Sequence, residues 1–513
     1  MENDSPAYQA LKNSSFSFVG YAFPIVFSIF VTPVLVYKLG VERYGLYVLI
    51  NTILVLLGLL DLGLSTALIK YLAQYHAQQE ENKIKNLFYS NNSLFFIIGV
   101  LGLAIMVALG YWGKAIFQNS SLDQNLFLIT FSLAGITFFI NTVNSVFTIT
   151  PRALQRFDLS TKIDLTQLTI LNLGALALAL LGYKLIAILA LQAGLALVFS
   201  FVYRRYAKKI LPLAKLKLAW VKTEVKNCYQ FGLKTFVSNL AGSSLNYLDR
   251  LLIPIFLGPT ALTYYSLPGN VANHTPGVTN SLTAVLFPMV AGLKGVKENE
   301  KIKNIYIKSL RLITILSAAI TVSIIAFAYK ILFFWIGAEL AEKSTAILII
   351  LALTYFVISL SRPLTSFLLG LEKTKFLAVC SVLMAIFNLI LILALLPTFG
   401  ITGAAWAFLI SVLPIIIMFG YAEKHFFHLT NRAKEYFKLY FKIILTAVAA
   451  YLVDILILIP LSVNLFALIV LGPLAVIIYL LLYRLFGFYE REDWQTIKNF
   501  LGKVYQNLYQ KSR

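Results

Sequence analysis

Apolar runs dominate this chain, and polar residues punctuate them at short intervals. A helix needs about 20 apolar residues to cross the hydrocarbon core of a bilayer, and fourteen windows approach that length. They lie at residues 16 to 37, 46 to 69, 87 to 111, 126 to 150, 165 to 182, 184 to 203, 229 to 257, 261 to 292, 310 to 335, 344 to 370, 377 to 396, 400 to 422, 441 to 460 and 464 to 484, hereafter spans 1 to 14. The pattern predicts an all-α polytopic membrane protein with about 14 transmembrane helices. The polar opening "MENDSPAYQALKNSS" leads into an apolar stretch longer than the roughly 7 to 15 residues of a signal-peptide core and without a small-residue cleavage site. It reads as a retained first span.

An internal repeat organises the spans. "NKIKNLF" at residues 82 to 88 returns as "EKIKNIY" at residues 300 to 306, and "KLGVERYGLY" after span 1 is echoed by "FLGPTALTYY" after span 7. Both pairs keep one interval, which places Leu39, Gly40 and Tyr47 against Leu257, Gly258 and Tyr265. "LNL" around Asn172 in span 5 recurs as "FNL" around Asn388 in span 11 at nearly the same spacing. Six spans separate the copies, an even number, so both keep one orientation: two parallel-repeat six-helix lobes, one known plan of secondary transporters. Spans 13 and 14 stand outside the repeat as two extra C-terminal helices. The expected organisation is an N-terminal lobe at 1–203, a basic linker at 204–228, a C-terminal lobe at 229–422, spans 13 and 14 within 423–484, and an amphipathic cytoplasmic tail at 485–513. In that tail Trp494, Ile497, Phe500, Leu501, Val504 and Leu508 share one helical face.

Charge orients the spans. Lys and Arg are retained in cytoplasmic loops, and a cytoplasmic N-terminus puts 35 of the 43 on that side, counting Lys234, Arg311, Lys442 and Arg484 at the cytoplasmic ends of their spans. Lys38, Arg43, Lys114, Lys184 and Lys343 fall outside, and Arg250, Lys330 and Arg362 lie within spans. Both termini are predicted in the cytoplasm, with the protein in the cytoplasmic (inner) membrane. The formal charge of +21 is thus spread over short loops, and no basic domain for nucleic acid remains. Hydrophobic residues make up 59% of the chain against 13% charged, at a mean hydropathy of +0.81, which excludes a soluble globular class. Cys228 and Cys380 show no paired spacing of a metal site or disulfide framework. No cofactor or metal is expected.

An ionisable side chain costs about 2.5 to 3.5 kcal/mol at the centre of a membrane helix, so each one is a functional candidate. Asp61 stands in "LLDLGLSTALIK" and the adjacent Asp249 and Arg250 in "LNYLDRLLI". Neighbouring helical residues point about 100° apart, so one of the latter two faces a cavity or a partner helix; a structural pair is the alternative. Arg362 in "SLSRPLTS" is either a site residue or a side chain snorkelling to the headgroups. Lys330 reads as a snorkelling anchor, and Asp454 in span 13 has no assigned role. Span 8 differs in kind: "PGNVANHTPGVTNSL" lays Asn270, Asn273, His274, Thr275, Thr279 and Asn280 along a helix with Pro268 and Pro276. Prolines free backbone carbonyls, and such a polar stripe must line water or a ligand. No H-E-x-x-H, P-loop or G-x-S-x-G stretch occurs, and the outer segments are too short for a catalytic domain, so an enzyme is not expected.

The chain resembles the Wzx-type polysaccharide (oligosaccharide-lipid) flippases, of the superfamily that includes the MATE multidrug exporters and the lipid II flippase. The resemblance rests on "LGVERYGLYVLI", "DLGLSTALIKYLA", "YLDRLLIPIFLGPTALTYYSL", "LFPMVAGL" and "FNLILILALLPTFGITGAAWAFLIS", and covers residues 10 to 490. It implies two lobes around an alternately opening cavity, and as cargo a polyprenyl-pyrophosphate-linked oligosaccharide moved from the inner to the outer leaflet for cell-surface polysaccharide synthesis. Arg250, Asp249, Arg362, Asn270, Asn273, His274 and Asn280 are then the substrate-binding candidates, and Asp61 or Asp249 the candidates for a coupling ion. Membrane lipids, and a polysaccharide polymerase or glycosyltransferases, are the expected partners. Span 1 carries none of the arginines of the lipid II branch, which favours the polysaccharide branch. A MATE-like cation-coupled exporter of small molecules and a lipid II flippase remain the alternatives.

Overall fold

The computed structural model describes residues 27–295, 298–429 and 432–489, and every regular element among them is a helix. Residues 16 to 26 of span 1 and the amphipathic tail from residue 490 lie outside the described residues. Among the described residues, ten helices are long and apolar enough to cross a membrane. One of them, Thr374–Phe426, carries spans 11 and 12 together, because Gly400 (φ +61°, ψ −146°) turns the chain within it. The shorter Phe27–Leu39, the helix Lys222–Leu257 and the interrupted run 259–295 bring the passages to about fourteen.

The repeat seen in the sequence is also a repeat of backbone geometry. Gly40 (φ +82°, ψ 156°) and Gly258 (φ +84°, ψ 166°) adopt the same left-handed extended conformation, which a side chain would strain. Each ends one span and starts the next. Before the two "KIKN" phrases, Glu80 N–H bonds Tyr75 O at 3.0 Å and Glu298 N–H bonds Leu293 O at 3.1 Å. Lys83 then pairs with Glu80 at 2.7 Å and Lys301 with Glu298 at 2.9 Å. The turns after spans 4 and 10 correspond as well: Gln155 (φ +58°) and Glu372 (φ +61°) precede N–H donations from Arg156 to Pro151 O and from Lys373 to Leu368 O, both 2.8 Å. The repeat therefore fixes where helices stop as well as what they are made of.

Spans 2, 8, 9, 12 and 13 are interrupted, and three of the breaks have a clear local reason. Span 2 runs as Val41–Leu57, a 3-10 turn at Gly58–Asp61, and Leu64–Ala77. Left-handed Leu62 and Gly63 break it. Span 8 runs as Pro259–Ala272, His274–Thr283 and Leu286–Gly295. Pro276 and Pro288 lack the N–H that would bond residues 272 and 284, and the breaks fall beside those carbonyls. Span 13 passes through a π-turn at Asp454–Leu458, the single-turn bulge that accommodates an extra residue in a helix.

The chain forms two compact units, Met1–Ser266 and Leu267–Arg513. In the first, spans 3, 4 and 6 pack side by side, and span 7 lies against spans 2 and 3. Its core joins Leu68, Leu72, Phe88, Phe95, Phe147 and Tyr203. In the second, spans 9 and 10 form the centre, with span 8 on one side. Spans 13 and 14 seal against span 9 through Ile315, Ala318, Ala319, Ala450, Tyr479 and Tyr483. Small residues let backbones approach closely, as membrane helices need where burial from water supplies no attraction. Gly45 in span 2 shows how closely: a Cβ there would sit 1.9 Å from the carbonyl oxygen of Pro259. Thr263 adds a hydrogen bond from its hydroxyl to Val41 O at 2.7 Å. Gly45→Ala is expected to cost about 1 to 3 kcal/mol through overpacking, measured as a lower thermal unfolding midpoint of the detergent-purified protein; an unchanged midpoint would mean that this contact is loose.

Candidate functional site

The acidic and basic pair of span 7 separates as helical geometry requires. Asp249 is buried at 3% exposure, and its carboxylate accepts from the Tyr265 hydroxyl and, at 2.8 Å, from the backbone N–H of Arg250. The Arg250 side chain is half-buried and lies within electrostatic reach of Tyr44 and of Asp249 itself. Asp249 is thus held by its neighbours, and Arg250 is the less buried of the two.

The first unit also holds a cavity of about 380 Å³ lined by uncharged residues. Asn51, Thr137, Asn141, Thr142, Ser145 and Gln192 give it its polar lining. Asn51, Thr137 and Ser145 donate to backbone carbonyls four residues back, at 2.8, 2.9 and 3.2 Å. Their remaining lone pairs stay available as acceptors. The Gln192 side-chain oxygen is buried without a hydrogen-bond partner. Further along the helix that carries Gln192, Arg204 donates to Asn144 at 2.6 Å and packs 5.5 Å from the Phe147 ring centre. The signal was present as Thr137, Asn141 and Ser145 at four-residue spacing within "TFFINTVNS", but uncharged residues in an apolar span stand out less than ionisable ones.

In the second unit, span 8 sorts its polar residues onto two faces. Thr275, Thr279 and Thr283 are buried, and the hydroxyls of Thr279 and Thr283 return to their own helix. The opposite face carries exposed Asn273, Asn280 and Ser281 with half-buried Asn270 and His274. Arg362 stands on a half-buried face of span 10 with Ser361, Thr365 and Ser366. Its Nε is buried with no hydrogen-bond partner, and it forms no ion pair among the described residues.

Asp61 has a structural task at the break in span 2: its carboxylate accepts the Ser65 N–H at 2.9 and 3.2 Å, capping Leu64–Ala77. Asp454 is fully buried in the π-turn, with both carboxyl oxygens unpartnered. Two further buried acids lie near helix ends, where the sequence reads as loop charge. Glu224 receives the Tyr75 hydroxyl at 3.2 Å, and Glu423 receives those of Tyr306, at 3.0 Å, and Tyr436. Among the described residues no three His, Cys, Asp or Glu side chains gather as a metal site would need.

Repeated helical halves, a proline-broken span with an exposed amide face, and unpaired polar groups at membrane depth define a polytopic membrane protein of the transporter type. The fold is that of solved members of this class. A lipid II flippase MurJ in an inward closed conformation superposes with a TM-score of 0.72 over 92% of this chain and 97% of that one, at 14% identity. An inward-facing multidrug resistance MATE family transporter does so with 0.68 over 81% and 99%, at 13% identity. Residues 34–345 match the model of the polysaccharide biosynthesis protein family, and the chain belongs to that family. Among its relatives are a putative O-antigen transporter of Shigella flexneri, 22% identical over 79% of this chain and 95% of its own length, and a probable low-salt glycan biosynthesis flippase of Haloferax volcanii, 25% identical over 42% and 46%.

Glu224 precedes span 7 and offers a pH test of the polar contacts at that edge. Burial raises its carboxyl above the ordinary 4.5, against the opposing influence of the Tyr75 hydroxyl and of Lys83. The folded protein therefore holds this proton more tightly than the unfolded chain. Its contribution to stability is full below about pH 4.5 and is lost as pH rises through the folded pKa. Thermal unfolding followed from pH 4.5 to 8 is expected to show a smaller decline for Glu224→Gln than for the parent protein; superimposable profiles would mean that Glu224 titrates alike in both states.

Proposed function

We propose that the protein translocates a polyprenyl-pyrophosphate-linked oligosaccharide from the inner to the outer leaflet of the cytoplasmic membrane by alternating access, with both termini in the cytoplasm. The observation that carries this reading is the kind of polar group presented inside the spans. Asn273, Asn280 and Ser281 on the exposed face of span 8 offer amides and a hydroxyl, the groups that pair with sugar hydroxyls. Arg362 offers a guanidinium with an unpartnered Nε, and Arg250 a second guanidinium. The fork of arginine matches phosphate oxygens two at a time, and low dielectric strengthens the pair.

In this reading Arg250 and Arg362 take the pyrophosphate, and Asn270, Asn273, His274 and Asn280 take the glycan while the polyprenyl chain stays in the bilayer. The lobes at 1–203 and 229–422 are the bodies that alternate, joined by the linker 204–228. Outward movement of the anionic headgroup is favoured by an inside-negative potential, by about 2.3 kcal/mol per charge per 100 mV. Asp249 and Asp61 are the sites at which a proton or sodium ion would couple, and a polymerase or glycosyltransferases would receive or supply the cargo.

The test is transport by purified protein in liposomes, reading the access of a labelled polyprenyl-pyrophosphate oligosaccharide from the opposite leaflet. Arg362→Ala and Arg250→Ala are each expected to lower the rate at least tenfold, with the protein still monodisperse in detergent. Transport at the parent rate in both variants would remove the arginines from the mechanism. Exchange of an organic cation against protons, with no movement of the glycan lipid, would replace this cargo by that of a cation exporter.

A further inference from the structure

The second unit contains a larger cavity that the transport reading leaves unused. It measures about 770 Å³ and lies against spans 9, 10, 12 and 13. Phe356, Leu360, Ile415, Ile416 and Phe419 make its body apolar. Its other end is charged, at the helix ends where Lys424 and Arg432 meet Glu423. A second cavity of about 310 Å³ shares Leu310, Arg432 and Tyr436 with the first and adds Arg311, Lys438, Lys442 and Glu435. The two are therefore one amphipathic recess, apolar within the spans and basic at the mouth.

Charge in the mouth is arranged for an anion. Five basic residues, Arg311, Lys424, Arg432, Lys438 and Lys442, stand against the two acids Glu423 and Glu435. Both acids are already occupied: Glu435 accepts from Arg432 at 2.9 Å, and Glu423 lies 3.6 Å from the same guanidinium and accepts two tyrosine hydroxyls. Lys424 and Lys438 are exposed and form no ion pair among the described residues. Basic pockets between membrane helices on this side select anionic lipid headgroups, and a bulk lipid of the leaflet reaches such a recess at high local concentration.

We propose that this recess binds an anionic phospholipid of the leaflet facing the basic loops, with one acyl chain along Phe356, Leu360 and Phe419 and the phosphate among Lys424, Arg432 and Lys438. The site lies wholly within the second unit and holds whatever the transported cargo is. Gly420 gives a clean handle on it. It lines the apolar part, and a Cβ built there meets no heavy atom within 4 Å, so a Gly420→Phe side chain starts from open space and is directed at the trough.

The experiment incubates the full-length protein with vesicles of equal phosphatidylglycerol and phosphatidylcholine, re-isolates it in mild detergent, and counts retained lipid by native mass spectrometry. The parent protein is expected to retain phosphatidylglycerol at least fivefold over phosphatidylcholine, Gly420→Phe to lose most of it at an unchanged unfolding midpoint, and Lys424→Gln with Lys438→Gln to lose the headgroup preference. Equal retention by Gly420→Phe and the parent would overturn the site, and equal retention of the two phospholipids by the parent would overturn its charge selectivity. Displacement of phosphatidylglycerol by an equimolar polyprenyl phosphate would also overturn the proposal, by assigning the trough to an isoprenoid chain.

Discussion

Inside a bilayer core, a polar group that finds no partner in the protein finds none at all. Most features of this structure follow from that constraint. Hydroxyls along the buried faces turn back on their own helices, as Thr314, Thr354 and Ser359 do at 2.7 to 2.9 Å from carbonyls four residues earlier. Asp249 takes the Tyr265 hydroxyl for the same reason. Once these groups are satisfied, others stand out, among them the exposed Asn273 and Asn280 of span 8, the Gln192 oxygen, the Arg362 Nε and the Asp454 carboxyl. Each either meets water or a ligand, or costs free energy without return.

The same constraint decides where the helices break. Pro276 and Pro288 remove donors in span 8, and the freed carbonyls coincide with the ends of His274–Thr283. That short helix presents asparagines on one side and packs threonines on the other, so proline placement and polar sorting work together. Glycine acts at the ends: Gly40, Gly258 and Gly400 hold positive φ where one span hands over to the next. The two halves share such stops even where side chains differ, as between Phe88 and Tyr306.

Much of this was legible in the sequence, and the unread part has a physical pattern. Apolar windows about 20 residues long identify membrane helices because desolvation dominates there, and the repeat was readable because turn residues such as Gly40 and Gly258 cannot change freely. Span 8 was readable as unusual because several amides in one helix exceed what lipid tolerates. The cavity around Asn141 and Gln192 was not singled out, since each residue alone passes as a packing hydroxyl or amide. Glu224 and Glu423 were hidden for a different reason: near a helix end, burial depends on which loop folds over the residue. The cap formed by Asp61 needed the left-handed backbone at Leu62 and Gly63, where only the glycine signals the turn.

The central claim is that the amide face of span 8 meets water and cargo rather than lipid. A direct measurement places one cysteine at Asn280→Cys, after Cys228 and Cys380 have been replaced by serine, and follows its reaction with a membrane-impermeant thiol reagent added to either side of proteoliposomes. The account expects labelling from both sides as access alternates, and slower labelling when a lipid-linked oligosaccharide is present. A thiol that reacts from neither side, or at a rate indifferent to the glycan lipid, would contradict it.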